Sequence, residues 1–263
     1  MRTTVIFNCK GGVGKTVTAL NMAATLAARG KKVALFDCDP QLNATTFCGA
    51  DPTLCSTYSV LMGTAEPYYP ENMQPVLLGG KLGIDVLPAS DELILADIAA
   101  LRENRANLHA LRDLVEVMAE DEAYDHVIID CPPSFTAATS AALIAADDVV
   151  VPIKLDAFSF DGLGELTLQI TGMRQFNPLL RIAGALITMR DAQTVIAREV
   201  ENALRQSAVP VFDSTIRKAE AVNASTFQRL PLRLMQGKAA QSVAADYDAF
   251  VSEFLNRRGS IYA

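Results

Sequence analysis

Residues 9–16 read Cys9-Lys10-Gly11-Gly12-Val13-Gly14-Lys15-Thr16, between a short apolar run and a long Ala/Leu-rich stretch. The spacing from Cys9 through Gly14, Lys15 and Thr16 is that of the phosphate-binding loop G-x-x-x-x-G-K-[ST], with Cys9 in the place of the first glycine. Gly11 and Gly12 let the backbone curl until successive N–H groups converge on phosphate oxygens. Lys15 adds a point charge, Thr16 is placed to hold Mg²⁺, and the helix that starts there adds the positive end of its dipole. Lys10, Gly11, Gly12, Val13, Gly14, Lys15, Thr16 and Val17 are therefore the candidates for binding a nucleoside triphosphate.

On either side of this loop the pattern alternates between strand and helix. Thr3 to Phe7 is a run of β-formers, and Leu20, Ala23, Ala24 and Ala27 recur at helical spacing from Thr16 to Arg29 before Gly30 ends the helix. Val33 to Phe36 is the next strand and delivers Asp37, Cys38 and Asp39 at its carboxyl end. Strand, loop, helix and strand form a right-handed βαβ unit. Asp37 and Asp39 are one residue apart and point differently on an extended chain, so they have separate tasks. Asp37 is the candidate for the Mg²⁺ neighbourhood, and Asp39, ahead of Pro40, the candidate for orienting the attacking water. The plainer alternative is that Asp37 only ends the strand and Asp39 only starts a turn. Val127 to Ile129 is a third apolar strand that ends on Asp130, a Walker B type arrangement in which the acid holds Mg²⁺ together with Thr16. The metal candidates are thus Thr16, Asp37 and Asp130, and the catalytic ones Lys15 and Asp39.

Gln41 to Pro75 is polar and rich in turn formers, reads as an excursion with a short helix at Ser56 to Met62, and carries the aromatic pair Tyr68-Tyr69. Further strands are expected at Gly83 to Leu87, Val149 to Ile153, Ile182 to Thr188 and Val209 to Phe212. Helices are expected over Asp91 to Ala123, Ala137 to Ala146, Leu163 to Phe176, Gln193 to Leu204 and Ala239 to Asn256. Lys154 to Gly164, with Phe158 and Phe160, either covers a subunit interface or turns back to the next helix. Thr188 or Met189, at a strand's carboxyl end, is placed to approach the base. The expected fold is α/β, a mostly parallel sheet flanked by helices, as a single P-loop domain over 1–263.

Composition narrows the class. Half of the 263 residues are hydrophobic, enough for a sizeable core, yet no window offers about 18 uninterrupted apolar residues, so neither a membrane span nor a signal peptide is expected. The five cysteines are odd in number and contain no C-x-x-C pair, which argues against a disulfide framework or a zinc site and for a reducing cytoplasm. The net charge of −7 is uneven: Lys and Arg number 12 against 22 Asp and Glu over residues 1–180, and 11 against 8 over 181–263. In that locally basic last third Arg190, Arg217 and Lys218 are the candidates for contacting a nucleic-acid backbone, although no repeating basic motif supports them. No helix-turn-helix segment precedes the first strand, so any DNA contact is mainly electrostatic.

Three blocks together carry a specific resemblance: Lys10 to Thr16; Val33-Ala34-Leu35-Phe36-Asp37-Cys38-Asp39-Pro40-Gln41 with Asn43-Ala44-Thr45; and Ile128-Ile129-Asp130-Cys131-Pro132-Pro133-Ser134. With Thr215-Ile216-Arg217 and Ala219-Glu220-Ala221, the chain resembles the ParA/MinD group of deviant Walker A (SIMIBI) ATPases, particularly the short Soj-like ParA proteins of chromosome and plasmid partition. The resemblance implies an ATP- and Mg²⁺-dependent ATPase that forms a nucleotide-sandwich homodimer. Lys10 then reaches the partner's phosphates, Lys15 binds in cis and Asp39 supports hydrolysis. It also implies nonspecific DNA binding by the ATP dimer through Arg190 and Arg217, release when a centromere-bound ParB-like activator stimulates hydrolysis, and a cytoplasmic, nucleoid-associated location. MinD-like proteins use a C-terminal amphipathic membrane helix instead, for which Arg257 to Ala263 is too short and too polar. Val17 and Leu42 depart from the family pattern, at places where a second threonine and a glycine are common. The competing reading is a cytoplasmic protein-positioning or complex-assembly ATPase that recruits a protein and binds no DNA. A third, a metallocluster accessory protein, rests on Cys131 alone.

Overall fold

The computed structural model describes residues 1–65, 73–102, 106–156, 159–191 and 195–257. The Tyr68-Tyr69 pair, Phe158 and the tail beyond Arg257 lie outside the described residues. The strands are β1 (Arg2–Ile6), β2 (Val33–Asp37), β3 (Gln74–Leu78), β4 (Leu82–Leu87), β5 (His126–Asp130), β6 (Asp148–Lys154), β7 (Arg181–Arg190) and β8 (Val211–Arg217). The helices are α1 (Lys15–Ala28), α2 (Asn43–Cys48), α3 (Thr57–Met62), α4 (Leu93–Arg102), α5 (Ala110–Glu120), α6 (Ala137–Ala145), α7 (Ser159–Gly172), α8 (Val195–Arg205), α9 (Glu220–Gln228) and α10 (Lys238–Asn256). One eight-stranded sheet runs in the order β3-β4-β2-β5-β1-β6-β7-β8. Every neighbouring pair is parallel except β3 with β4.

The apolar strands are continuous because both faces of the sheet are covered. Successive residues of β2 enter opposite cores: Ala34 and Phe36 join α3 to α7 on one face, while Val33 and Leu35 join α1, α2 and α10 on the other. Ala19, Ala23 and Ala24 of α1 are fully buried, which lets the helix lie close against β1 and the neighbouring strands. Gly30 ends α1 with φ of 76°, as the sequence requires.

α2 and α9 fall where the sequence reading expects no helix, and the structure departs from it in three further places. β3 was not expected: Gln74 to Leu78 turns through Gly79 and Gly80, both at positive φ, into an antiparallel hairpin with β4. Gly-Gly between two β-prone runs is the signal that marks it. The helical pattern from Asp91 to Ala123 is two helices, parted where the Asn107 side chain accepts from the His109 N–H at 3.0 Å and forms a turn of its own. The last strand runs from Val211 to Arg217 rather than Val209 to Phe212, so Arg217 closes a strand.

α10 packs its buried Val243, Tyr247, Phe250 and Phe254 on β8 and α1. Phe250 meets Phe212 edge to face with ring centroids 5.0 Å apart. Phe250→Ala removes a fully buried ring from this layer and is expected to cost about 3–5 kcal/mol of unfolding free energy in a urea titration.

Candidate functional site

Going from β1 to β2 the chain crosses over β5, so β5 ends between them. Asp130 is thereby in register with Ile6 on one side and Asp37 on the other. The loop after β1, the acidic end of β2 and the acidic end of β5 meet at one edge, the position where open parallel sheets bind ligands. A cavity of about 560 Å³ opens there, lined by Gly11, Gly12, Gly14, Lys15, Thr16 and Asp39 among others. Gly12 and Gly14 adopt φ of 69° and 82°, the left-handed conformations that turn the backbone around the cavity.

The charged groups divide their tasks by burial. Burial lowers the affinity of the Lys15 ammonium for its proton, while Asp130 and Asp39 nearby pull in the other direction. Its Nζ donates to the Lys10 carbonyl at 3.0 Å. Asp37 is fully buried and its carboxylate is engaged: Oδ1 accepts from the Asp39 N–H at 3.0 Å, and Oδ2 from the N–H and hydroxyl of Thr45 at 2.8 Å each. Asp37 thus ties the loop after β2 to the start of α2. Burial still pushes its carboxyl up to about 6. Asp130 is equally buried, and among the described residues neither of its oxygens has a hydrogen-bond partner. Burial and then the Asp37 charge push its carboxyl well above the usual range, with the nearby Thr16 hydroxyl acting in the opposite sense.

A buried carboxylate without donors is expensive unless a cation meets it. Asp130 beside Thr16 fits a Mg²⁺ ion held by one or two protein oxygens, phosphates and water completing the shell. Asp39 lines the same cavity with one oxygen oriented by the Gln41 N–H at 2.9 Å. Met189 and Val17 also line it, whereas the Thr188 hydroxyl lies beneath the loop and donates to the Val13 carbonyl at 2.8 Å. Sequence reasoning missed Phe47 on α2, and Thr226 and Arg229 on and just after α9, in the lining, since neither helix carries a phosphate-loop pattern. Backbone strain gathers here. Three of the four non-glycine residues with positive φ are Leu42, Met189 and Arg229: two line the cavity, and Leu42 lies between the lining residues Gln41 and Asn43.

Lys10 does not line this cavity. Its Nζ is 2.5 Å from Asp156, beyond the end of β6. The nucleic-acid candidates meet at the neighbouring edge, where Arg190 and Arg217 are register partners of β7 and β8 and the Lys218 N–H donates to the Arg190 carbonyl. Arg190 is paired with Glu201 at 3.1 Å, and Arg217 grips Asp246 through two bonds of 2.7 Å. Lys218 is exposed.

Both raised carboxyls keep a proton to higher pH in the folded chain than in the unfolded one, because their folded values lie above the ordinary 3.8. Stability therefore falls as pH rises above the unfolded value, through about 6 for Asp37 and over a further range for Asp130. Asp130→Asn is expected to flatten this slope in Mg²⁺-free thermal melts and to raise the melting temperature at pH 8, by about 2–4 °C per kcal/mol recovered. The rise in melting temperature that ATP and Mg²⁺ give the parent chain is expected to shrink in the variant.

Comparison with known proteins agrees with this geometry. A family model described as an AAA domain matches residues 1–182. The chromosome partitioning protein ParA of Caulobacter vibrioides is 36% identical over 93% of this chain and 91% of its own length. The chromosome-partitioning ATPase Soj of Thermus thermophilus is 39% identical over 78% of this chain and 76% of its own. Among solved structures, cobyrinic acid a,c-diamide synthase of Mycobacterium smegmatis, with a bound ATP analogue and magnesium, superposes with a TM-score of 0.79 at 31% identity over 99% of this chain and 96% of that one. With its P-loop, its Walker B acid and these relatives, the chain belongs to the ParA/Soj family of deviant Walker A P-loop ATPases.

Proposed function

We propose that residues 1–263 act as one P-loop ATPase domain that dimerises on ATP, binds nonspecific DNA as the dimer and is released when a partner stimulates hydrolysis. The observation that carries this reading is the contrast between the two lysines: Lys15 lines the cavity, and Lys10 stands outside it, paired with Asp156. A lysine on the phosphate loop that does not serve its own cavity is available to a second one. ATP between two protomers then meets lysines from both, so the dimer depends on the γ-phosphate. Thr16 and Asp130 would hold Mg²⁺, which offsets charge on the phosphate oxygens. Asp37, whose carboxylate is taken up by Thr45 and Asp39, serves the ion indirectly, by holding the Asp39 loop in place. Asp39 orients the attacking water, and Met189 with Thr226 and Arg229 borders the base.

For the DNA surface, Arg190, Arg217 and Lys218 form a cluster at the ends of β7 and β8. Glu201 and Asp246 already neutralise the two arginines, so a DNA phosphate has to displace a carboxylate. That observation favours the second reading, a protein-positioning ATPase without DNA. The partition names of the curated relatives favour the first. Among the described residues no helix is long and apolar enough to cross a membrane.

Retention on nonspecific duplex DNA, compared with ATP, ADP and no nucleotide across a salt series, separates the two. Retention is expected with ATP only, and its absence at low salt for an ATP-trapped dimer overturns the DNA reading. Asp39→Ala is expected to keep ATP binding and hold the dimer on DNA through slow hydrolysis, whereas Lys15→Ala is expected to lose ATP binding. Arg217→Glu should lower the salt slope by about one per protomer without affecting dimerisation, and Asp246→Asn should strengthen retention by freeing Arg217.

A further inference from the structure

A second cavity, of about 360 Å³, opens at the amino edge of the sheet, at the opposite end of the strands from the phosphate loop. Arg2, Arg174, Arg181 and Arg257 line it, and Asp148 is the lining carboxylate. Arg2, 4% exposed, donates from Nε to Asp148 at 2.7 Å with its guanidinium 3.8 Å from the centre of the Phe254 ring. Arg181 shares the same carboxylate oxygen at 3.3 Å. Arg257 is turned onto the Ala183 and Val211 carbonyls and onto Glu253, and lies 4.3 Å over the Phe212 ring.

The charges around this recess do not balance. Asp148 and Glu253 together answer two of the four guanidinium groups, which leaves two positive charges in excess. Among the described residues the Arg174 side chain makes a single hydrogen bond, from Nε to the Leu180 carbonyl at 3.0 Å, and neither terminal nitrogen has a partner there. Arg181 uses one nitrogen on Asp148 and keeps the others. Two guanidinium forks with open donors, on the rim of a cavity whose inner wall is already held by Arg2 and Arg257, match the planar bidentate recognition of an oxyanion.

We infer that this cavity binds a small dianionic phosphate, either inorganic phosphate or the monoester group of a small molecule, gripped by Arg174 and Arg181. A phosphate monoester carries a charge of about −2 at neutral pH, which equals the excess. A duplex backbone presents one charge per phosphate and cannot enter a recess of this size, at the low end of the range for small-molecule pockets. The site is independent of the ATP cavity and does not rest on the partition reading.

Calorimetric titration with inorganic phosphate tests it in two backgrounds that block the P-loop: the Lys15→Ala chain, and the parent chain saturated with a non-hydrolysable ATP analogue and Mg²⁺. Saturable binding is expected in both, at least tenfold weaker when Arg174→Gln and Arg181→Gln are combined. Both arginines are exposed, so the double variant is expected to melt with the parent in chloride buffer, to hydrolyse ATP at the parent rate and to lose only its phosphate-dependent gain in melting temperature. No saturable heat in either background, or an affinity that the double variant leaves unchanged, overturns the site. Loss of duplex DNA retention by the double variant without phosphate binding by the parent also overturns it and assigns the arginines to a DNA surface.

Discussion

The group on which the arrangement turns is the Asp130 carboxylate, buried at the end of β5 with no hydrogen-bond partner for either oxygen among the described residues. Such a group raises the energy of any fold that contains it unless something at that spot needs a negative charge. Everything around it is consistent with that need. The crossover from β1 to β2 leaves β5 between them, Thr16 opens α1 beside it, and Lys15 sits within electrostatic reach. Asp37, its register partner, is satisfied three times over by the loop that follows it. Two acids at the same level of the sheet thus differ in availability because of what the next eight residues do.

The same division appears between the lysines and among the basic residues. Lys15 is drawn into the cavity, and Lys10, five residues earlier on the same loop, is turned out to Asp156. Arg190 and Arg217 stand side by side but are each held by a carboxylate, on α8 and α10 respectively, so the basic edge is masked within the chain. In both cases the side chain proposed to act on another molecule has an internal partner to leave. A switch that depends on ATP benefits from contacts of this type, since each must be exchanged and none is permanent.

Strain is placed with the same economy. Leu42 takes a left-handed conformation where glycine would be relaxed, and Met189 and Arg229 do so around the same cavity. Residues in this region cost of order 1–3 kcal/mol and persist where the surroundings hold them. Leu42 is held by packing against the core, directly after the Asp39 to Gln41 turn. The cavity's shape therefore rests on backbone geometry that propensity alone would not choose.

Much of this was legible without coordinates. The P-loop spacing, the apolar runs ending on Asp37 and Asp130, and the small-residue face of α1 are local patterns, and local patterns determine which elements form and that the sheet is parallel. The hairpin of β3 and β4 was legible in principle from Gly79-Gly80, but β3 starts at Gln74, on the last residues of the polar Gln41 to Pro75 stretch, and is only five residues long. Other features depend on which strand lies beside which, and that is decided by packing between residues far apart along the chain. The pairing of Lys10 with Asp156, the masking of Arg217 by Asp246, and the recess built from Arg2, Arg174, Arg181 and Arg257 carry no spacing signal. By itself the sequence determined the phosphate loop, its acids and the kind of sheet that joins them. Only the tertiary structure decided which of those charges are already satisfied, because a hydrogen bond or an ion pair is set by distance in space and not by distance along the chain.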